Sequence, residues 1–119
     1  METDAASKKA PEPFIDRRRH PRYRLSVPLT IRAADGVIMR GISIEISASG
    51  LSAIIAQSLK LNDTVEIEPI AAVRVLALVK HNIGKIYGFE FLNLTTEQTQ
   101  RITDSCKMLP LYKGKSLGI

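Results

Sequence analysis

Residues 17 to 24 read Arg17-Arg18-Arg19-His20-Pro21-Arg22-Tyr23-Arg24, five arginines with no acid among them. A guanidinium is a planar, permanently charged fork of donors that pairs bidentately with phosphate or with the O6/N7 edge of guanine, and it also stacks on a base. One hairpin further on, Glu45-Ile46-Ser47-Ala48-Ser49-Gly50 sets a carboxylate and a hydroxyl two positions apart, ahead of a glycine. A carboxylate does not help to hold phosphate. It does accept hydrogen bonds from the N1 and N2 donors on guanine's other edge, while the Ser47 hydroxyl and a turn at Gly50 let hydroxyl and backbone approach an oxygen closely. Guanine joined to phosphate is the ligand chemistry that uses both segments.

The formal net charge is +5, yet from residue 25 onward ten basic residues stand against eight acidic ones, so the excess sits in the arginine segment. Charge gathered at the entrance to an otherwise balanced chain points to an anionic partner: a nucleotide, a nucleic acid, a lipid surface or an acidic protein. With three Tyr, three Phe and no Trp, the chain is poorly equipped as a base-stacking nucleic-acid surface. His20 and His81 are isolated and no cluster of metal-ligand type is spaced around them, so no metal is expected. No spacing joins a serine nucleophile to a base, and neither a dinucleotide-binding nor a phosphate-loop glycine motif occurs. The expected function is therefore not enzymatic, and no cofactor is implied.

The elements that must position these residues read as strands. At 119 residues the chain is one domain, burying roughly 65% of the surface its unfolded form exposes. Period-two alternation begins at Leu25, with Leu25, Val27, Leu29 and Ile31 on one face, and Pro28 marks an edge or a bulge. Asp35-Gly36 is a hairpin signal, and the return strand from Val37 to Ile46 puts Ile42, Ile44 and Ile46 on one face and Ser43, Glu45 and Ser47 on the other. Period two by itself also yields such a polar face, exposed to solvent. Ser49-Gly50 makes the next turn, where Gly50 is read as supplying a positive φ. Further strands are predicted at Leu51–Ala56, Thr64–Glu68, Val73–Lys80 and Lys85–Leu92, six in all and with no long helix between them. That pattern is mainly β, a six-stranded antiparallel barrel. Thr95 with Gln98 forms a capping box, and Ile102, Cys106 and Leu109 follow at helical spacing before Pro110, so one C-terminal α-helix closes the domain. Tyr23 should pack where the arm enters the barrel, and Tyr87, Phe89 and Phe91 in its core.

Residues 1–16 are polar and contain Pro11 and Pro13, which predicts a flexible tail; 17–110 form the barrel with its arm and helix, and 111–119 a second tail. The apolar runs, such as Val75 to Val79, are far short of the ~18 residues a membrane helix needs, so no membrane insertion is expected. A polar N-terminus and a single cysteine read as cytoplasmic.

The two segments together resemble the PilZ domain family, whose members bind the bacterial second messenger cyclic di-GMP. Its RxxxR motif ahead of the first strand is matched by Arg18 and Arg22, and its xSxxG motif after Asp or Asn by Ser47 and Gly50, with Glu45 where Asp or Asn is usual. The resemblance covers roughly residues 17 to 109. It implies a six-stranded PilZ-type barrel and a single-domain cyclic di-GMP receptor or adaptor that signals to an effector protein. It also implies that Arg18 and Arg22 contact guanine edges and phosphates, that Arg17 favours a stacked ligand dimer, that Glu45 faces a guanine and that Ser47 meets a phosphate. Arg19 and Arg24 add charge. On this reading the arm from Arg17 to Arg24 is disordered until the ligand orders it. The alternative is a diverged PilZ-like domain that binds no ligand and acts as a protein-interaction module, with a basic-arm nucleic-acid binder behind it.

Overall fold

A computed structural model describes residues 21–113. The expected tail over residues 1–16, together with Arg17, Arg18, Arg19 and His20, lies outside the described residues, as do residues 114–119. The elements are β1 (Tyr23–Arg24), β2 (Pro28–Ala33), β3 (Ile38–Ile46), β4 (Gly50–Ile55), β5 (Thr64–Ile70), β6 (Val73–Ile83), β7 (Ile86–Leu92) and α1 (Thr96–Cys106). The sheet runs β1-β3-β2-β5-β6-β7-β4, and pairing of β4 with β3 closes six strands into an antiparallel barrel with β1 outside the ring. Alternation explains the inward faces: Leu29 and Ile31 on β2, Val65 and Ile67 on β5, and Val73, Val75, Ala77 and Val79 on β6 are all buried. Tyr87, Phe89 and Phe91 complete the core from β7, and Tyr23 packs against it.

The strand expected from Leu25, β2, departs from simple alternation. It starts at Pro28, not Leu25, and Val27 is exposed. Arg24 pairs with Glu45 and Pro28 with Ile42, so three residues, Leu25 to Val27, span the space of two on β3. The Ser43 hydroxyl fills this jog: it accepts from the Val27 amide at 3.2 Å and donates to the Val27 carbonyl at 3.0 Å. Pro28 falls at the first position of a strand, where its missing N–H is least harmful.

On the other side of β3 the register to β4 slips between Ser43 and Glu45, which leaves Ile44 as a bulge residue. One extra residue inverts the alternation. Ile42 stands opposite Ile54 and both are about half exposed, whereas Ile46 stands opposite Leu51 and both are fully buried. The three isoleucines therefore do not share a face, and Ser43 and Glu45 do not either. Ser52, between core residues Leu51 and Ala53, points to the outer wall, and its partner Glu45 points there with it.

Helix α1 carries the expected capping box. Thr95 Oγ1 accepts from the Gln98 amide at 3.0 Å and Gln98 Oε1 accepts from the Thr95 amide at 2.9 Å. Ile102 and Cys106 are buried, and Leu94 and Leu109 pack at the margin. Burial pushes the Cys106 thiol up from its ordinary 9.0 to about 11. Beyond the helix, Pro110, Leu111 and Tyr112 run beside the start of the arm. Arg24 donates to the Pro110 carbonyl at 2.7 Å and Tyr112 to the Arg22 carbonyl at 2.9 Å, while Leu111 bridges Tyr23.

Candidate anion-binding site

The end of β3 collects the sequence-predicted residues that lie among the described ones. Glu45 is fully buried, but beneath the arm and not inside the barrel: its Oε1 pairs with Arg22 Nη1 at 3.2 Å and its Oε2 accepts from the Ser52 hydroxyl at 3.1 Å. Arg22 keeps 13% of its side chain exposed. Its guanidinium carbon lies 5.4 Å from the centre of the Tyr112 ring, within cation–π range. In this structure Glu45 thus faces an arginine and a serine. The extra methylene that distinguishes Glu from Asp provides the reach for both contacts, and burial makes the pair more strongly coupled than an exposed one.

Ser47 is buried rather than exposed. Its amide donates to the Gly50 carbonyl at 2.8 Å, and its hydroxyl lies 3.2 Å from both the Ser49 hydroxyl and the Ser49 amide. These bonds fix the turn from β3 to β4. Gly50 does not have a positive φ. Its requirement is space: a Cβ built there falls closer than 3.0 Å to the Phe89 carbonyl oxygen across the β4–β7 seam. The hairpin glycines that do have positive φ are Gly36, at +91°, and Gly84, at +60°.

The expectation that the whole arm is unfixed before ligand arrives does not hold for its last residues. Tyr23 and Arg24 pair with Ile46 and Glu45 on one side, and the Pro110–Tyr112 segment bonds them on the other. Arg24 itself is exposed and borders an open groove of ≈560 Å³ whose lining includes Ile42, Ile54, Pro110 and Tyr112. Arg17 and Arg18 lie outside the described residues.

Two contributors were not legible as site residues. Ser52 carried a signal in the pairing of consecutive strands, which places it opposite Glu45 once the bulge is known. Tyr112 carried none, because its contact with Arg22 spans nearly the whole domain and lies beyond a proline. Among the described residues no group of three or more His, Cys, Asp or Glu is placed to hold a metal, and no helix is long and apolar enough to cross a membrane.

A family model described as PilZ domain matches residues 16–107, a span that includes the arginine arm, the Glu45–Gly50 turn and the helix. The chain belongs to the PilZ domain family. Its barrel is similar to the PilZ domain of YcgR from Escherichia coli, solved with c-di-GMP, at TM-score 0.64 and 17% identity, covering 79% of this chain and 92% of that one. It is equally similar to the inhibitor of motility MotI/DgrA of Bacillus subtilis, at TM-score 0.64 and 19% identity over 79% of this chain. There the PilZ chain spans about half of the other protein's length, 51%. The PilZ domain of CeSA from a cellulose-synthesizing bacterium matches at TM-score 0.60 and 16% identity, covering 73% of this chain and 95% of that one. These identities speak for the fold alone. No curated protein is similar enough to match.

Proposed function

We infer that this PilZ domain is a receptor for cyclic di-GMP and an adaptor to an effector protein, not an enzyme. The observation that carries the reading is the juxtaposition of Arg22 with the Glu45–Gly50 turn on the outer wall of the barrel, at the exit of a five-arginine segment. Arg18 and Arg22 would take guanine edges and phosphates, Ser47 a phosphate, and Arg17 a second stacked ligand. Glu45 would face a guanine, and from beneath Arg22 its carboxylate also orients that guanidinium. Ligand entering beside Arg22 would bring residues 17–20 against this wall and so create a new surface for the partner.

The test is isothermal titration of cyclic di-GMP, with cyclic di-AMP and GTP as controls and Arg18→Ala and Arg22→Ala as variants. A bidentate arginine contact is worth about 1–3 kcal/mol, so each variant should bind about 5- to 150-fold more weakly. The stoichiometry, and its change in Arg17→Ala, tests the role of Arg17. Amide exchange at saturating ligand should slow across residues 17–20, and unchanged exchange there contradicts the ordering step. A second reading, a diverged module that acts by protein contacts alone, rests on Glu45 standing where the motif usually has Asp or Asn. Its signature is no heat from the wild type.

A further inference from the structure

On the receptor reading above, we propose that Tyr112 is a positioning residue of the ligand site, and that the Pro110–Tyr112 segment is the clasp that presents Arg22 to the ligand. Arg22 is tied to this segment twice. Its carbonyl accepts from the Tyr112 amide at 2.9 Å, and its guanidinium lies over the Tyr112 ring at 5.4 Å. Two residues on, the Arg24 amide donates to the Pro110 carbonyl at 2.7 Å, and Tyr23 bridges Leu111 between them. The arm at Arg22–Arg24 is thus an inner strand, with β3 on one edge and the clasp on the other.

The chemistry of the contact makes it a positioning device. An arginine has four flexible side-chain bonds, and a free one loses most of its rotamer freedom when it grips an anion. Here Glu45 fixes one end of the guanidinium by a hydrogen bond, and the aromatic face restrains its plane without occupying its remaining N–H donors. The fork is held at one end, with N–H donors left over among the contacts of the described residues. A carboxylate in place of Tyr112 would neutralise the charge that the ligand needs. Because the clasp continues from α1 through Leu109, a ligand that shifts Arg22 also acts on the end of the helix.

The experiment is a double-mutant cycle read by titration of cyclic di-GMP into the full chain, using Tyr112→Ala, Tyr112→Phe, Arg22→Ala and Arg22→Ala/Tyr112→Ala. Tyr112→Ala should weaken binding about tenfold, and Tyr112→Phe, which keeps the ring face, by no more than about threefold. In the Arg22→Ala background, removing Tyr112 should change affinity less than twofold, because its effect is routed through Arg22. Amide exchange at Arg24 and Tyr112 in the ligand-free chain provides a second readout, expected to accelerate in Tyr112→Ala and not in Tyr112→Phe. A binding wild type with Tyr112→Ala unaltered in affinity overturns this inference and leaves the receptor reading standing. Equal losses from Tyr112→Ala in both backgrounds also overturn it, by showing that the ring acts elsewhere. A wild type that gives no heat overturns the receptor reading, and the ligand role of Tyr112 with it.

Discussion

Replacing Gly50 by alanine tests whether the glycine of the turn motif serves the ligand or the barrel. A methyl group at this position meets the carbonyl of Phe89, whose oxygen lies closer than 3.0 Å to the built Cβ and whose carbon lies at 3.4 Å. Neither side gives way easily. Gly50 pairs with Glu90, its neighbour Leu51 pairs with Phe89, and Phe89 is 1% exposed at the centre of the core. Relief requires the start of β4 to move off β7, and such overpacking of a tight site costs about 1–3 kcal/mol, with a backbone obstacle favouring the upper half of that range. For a domain of this size each kcal/mol lowers Tm by about 4 °C, so Gly50→Ala should melt about 8–12 °C below the wild type.

Far-UV circular dichroism against temperature, with urea denaturation alongside, measures this directly. The urea slope should stay unchanged, because the surface exposed on unfolding is the same. Gly36→Ala separates the two kinds of glycine: nothing lies within 4 Å of its Cβ, but its φ is +91°. Its cost is therefore the left-handed backbone alone, about 1–2 kcal/mol. If Gly50→Ala melts within about 2 °C of the wild type, the crowding argument is refuted, since overpacking at a rigid seam has no smaller effect. Loss of ligand affinity without loss of stability would then assign the glycine to ligand approach.

Glu45→Asp withdraws the carboxylate by one methylene, so contacts of 3.2 Å to Arg22 and 3.1 Å to Ser52 cannot both survive; the variant should lose about 2 kcal/mol in urea unfolding. Thr95→Ala removes the acceptor of the Gln98 amide, and with it half of the capping box, for a loss of about 1 kcal/mol by the same assay. Cys106, with its thiol pushed up to about 11, should react with a disulfide reagent at pH 8 far more slowly in the native chain than in urea, and equal rates would contradict its burial. The same raised value makes its contribution to stability full below about pH 9 and lost as pH rises toward 11, because only the unfolded thiol ionises freely in that window. In Cys106→Ala the alkaline fall in Tm should be shallower.

How much of this was legible in the sequence depended on whether a feature was local. The capping box at Thr95, the Asp35-Gly36 hairpin and the inward rows of β2, β5 and β6 are set by neighbours within a few residues, and period and turn chemistry were enough to read them. The polarity of β3 was not, because alternation is a counting rule and a bulge breaks the count. Ile42, Ile44 and Ile46 look like one apolar face, and nothing in their identity reveals that Ile44 is the residue β4 does not pair. The pairing partners do reveal it, since Ile46 opposite Leu51 and Ile42 opposite Ile54 cannot share a side when one pair is buried and the other half exposed.

The same irregularity decides where the candidate site lies. Had β3 stayed regular, Glu45 would share the side of Ser43 and enter the core beside Leu51 and Phe89, while Ile46 would turn outward. The bulge at Ile44 turns Glu45 to the outer wall, and the matching jog at Leu25–Val27 on the opposite edge lays the arm across it. These two departures from ladder geometry, one on each side of a single strand, bring Arg22 within 3.2 Å of the carboxylate. The Ser43 hydroxyl that fills the jog is thus part of the same arrangement, although it touches neither charge. Placement of charge here follows from where the ladder fails, and for that reason the arginine segment and the Glu45–Gly50 turn could be recognised from sequence while their meeting point could not.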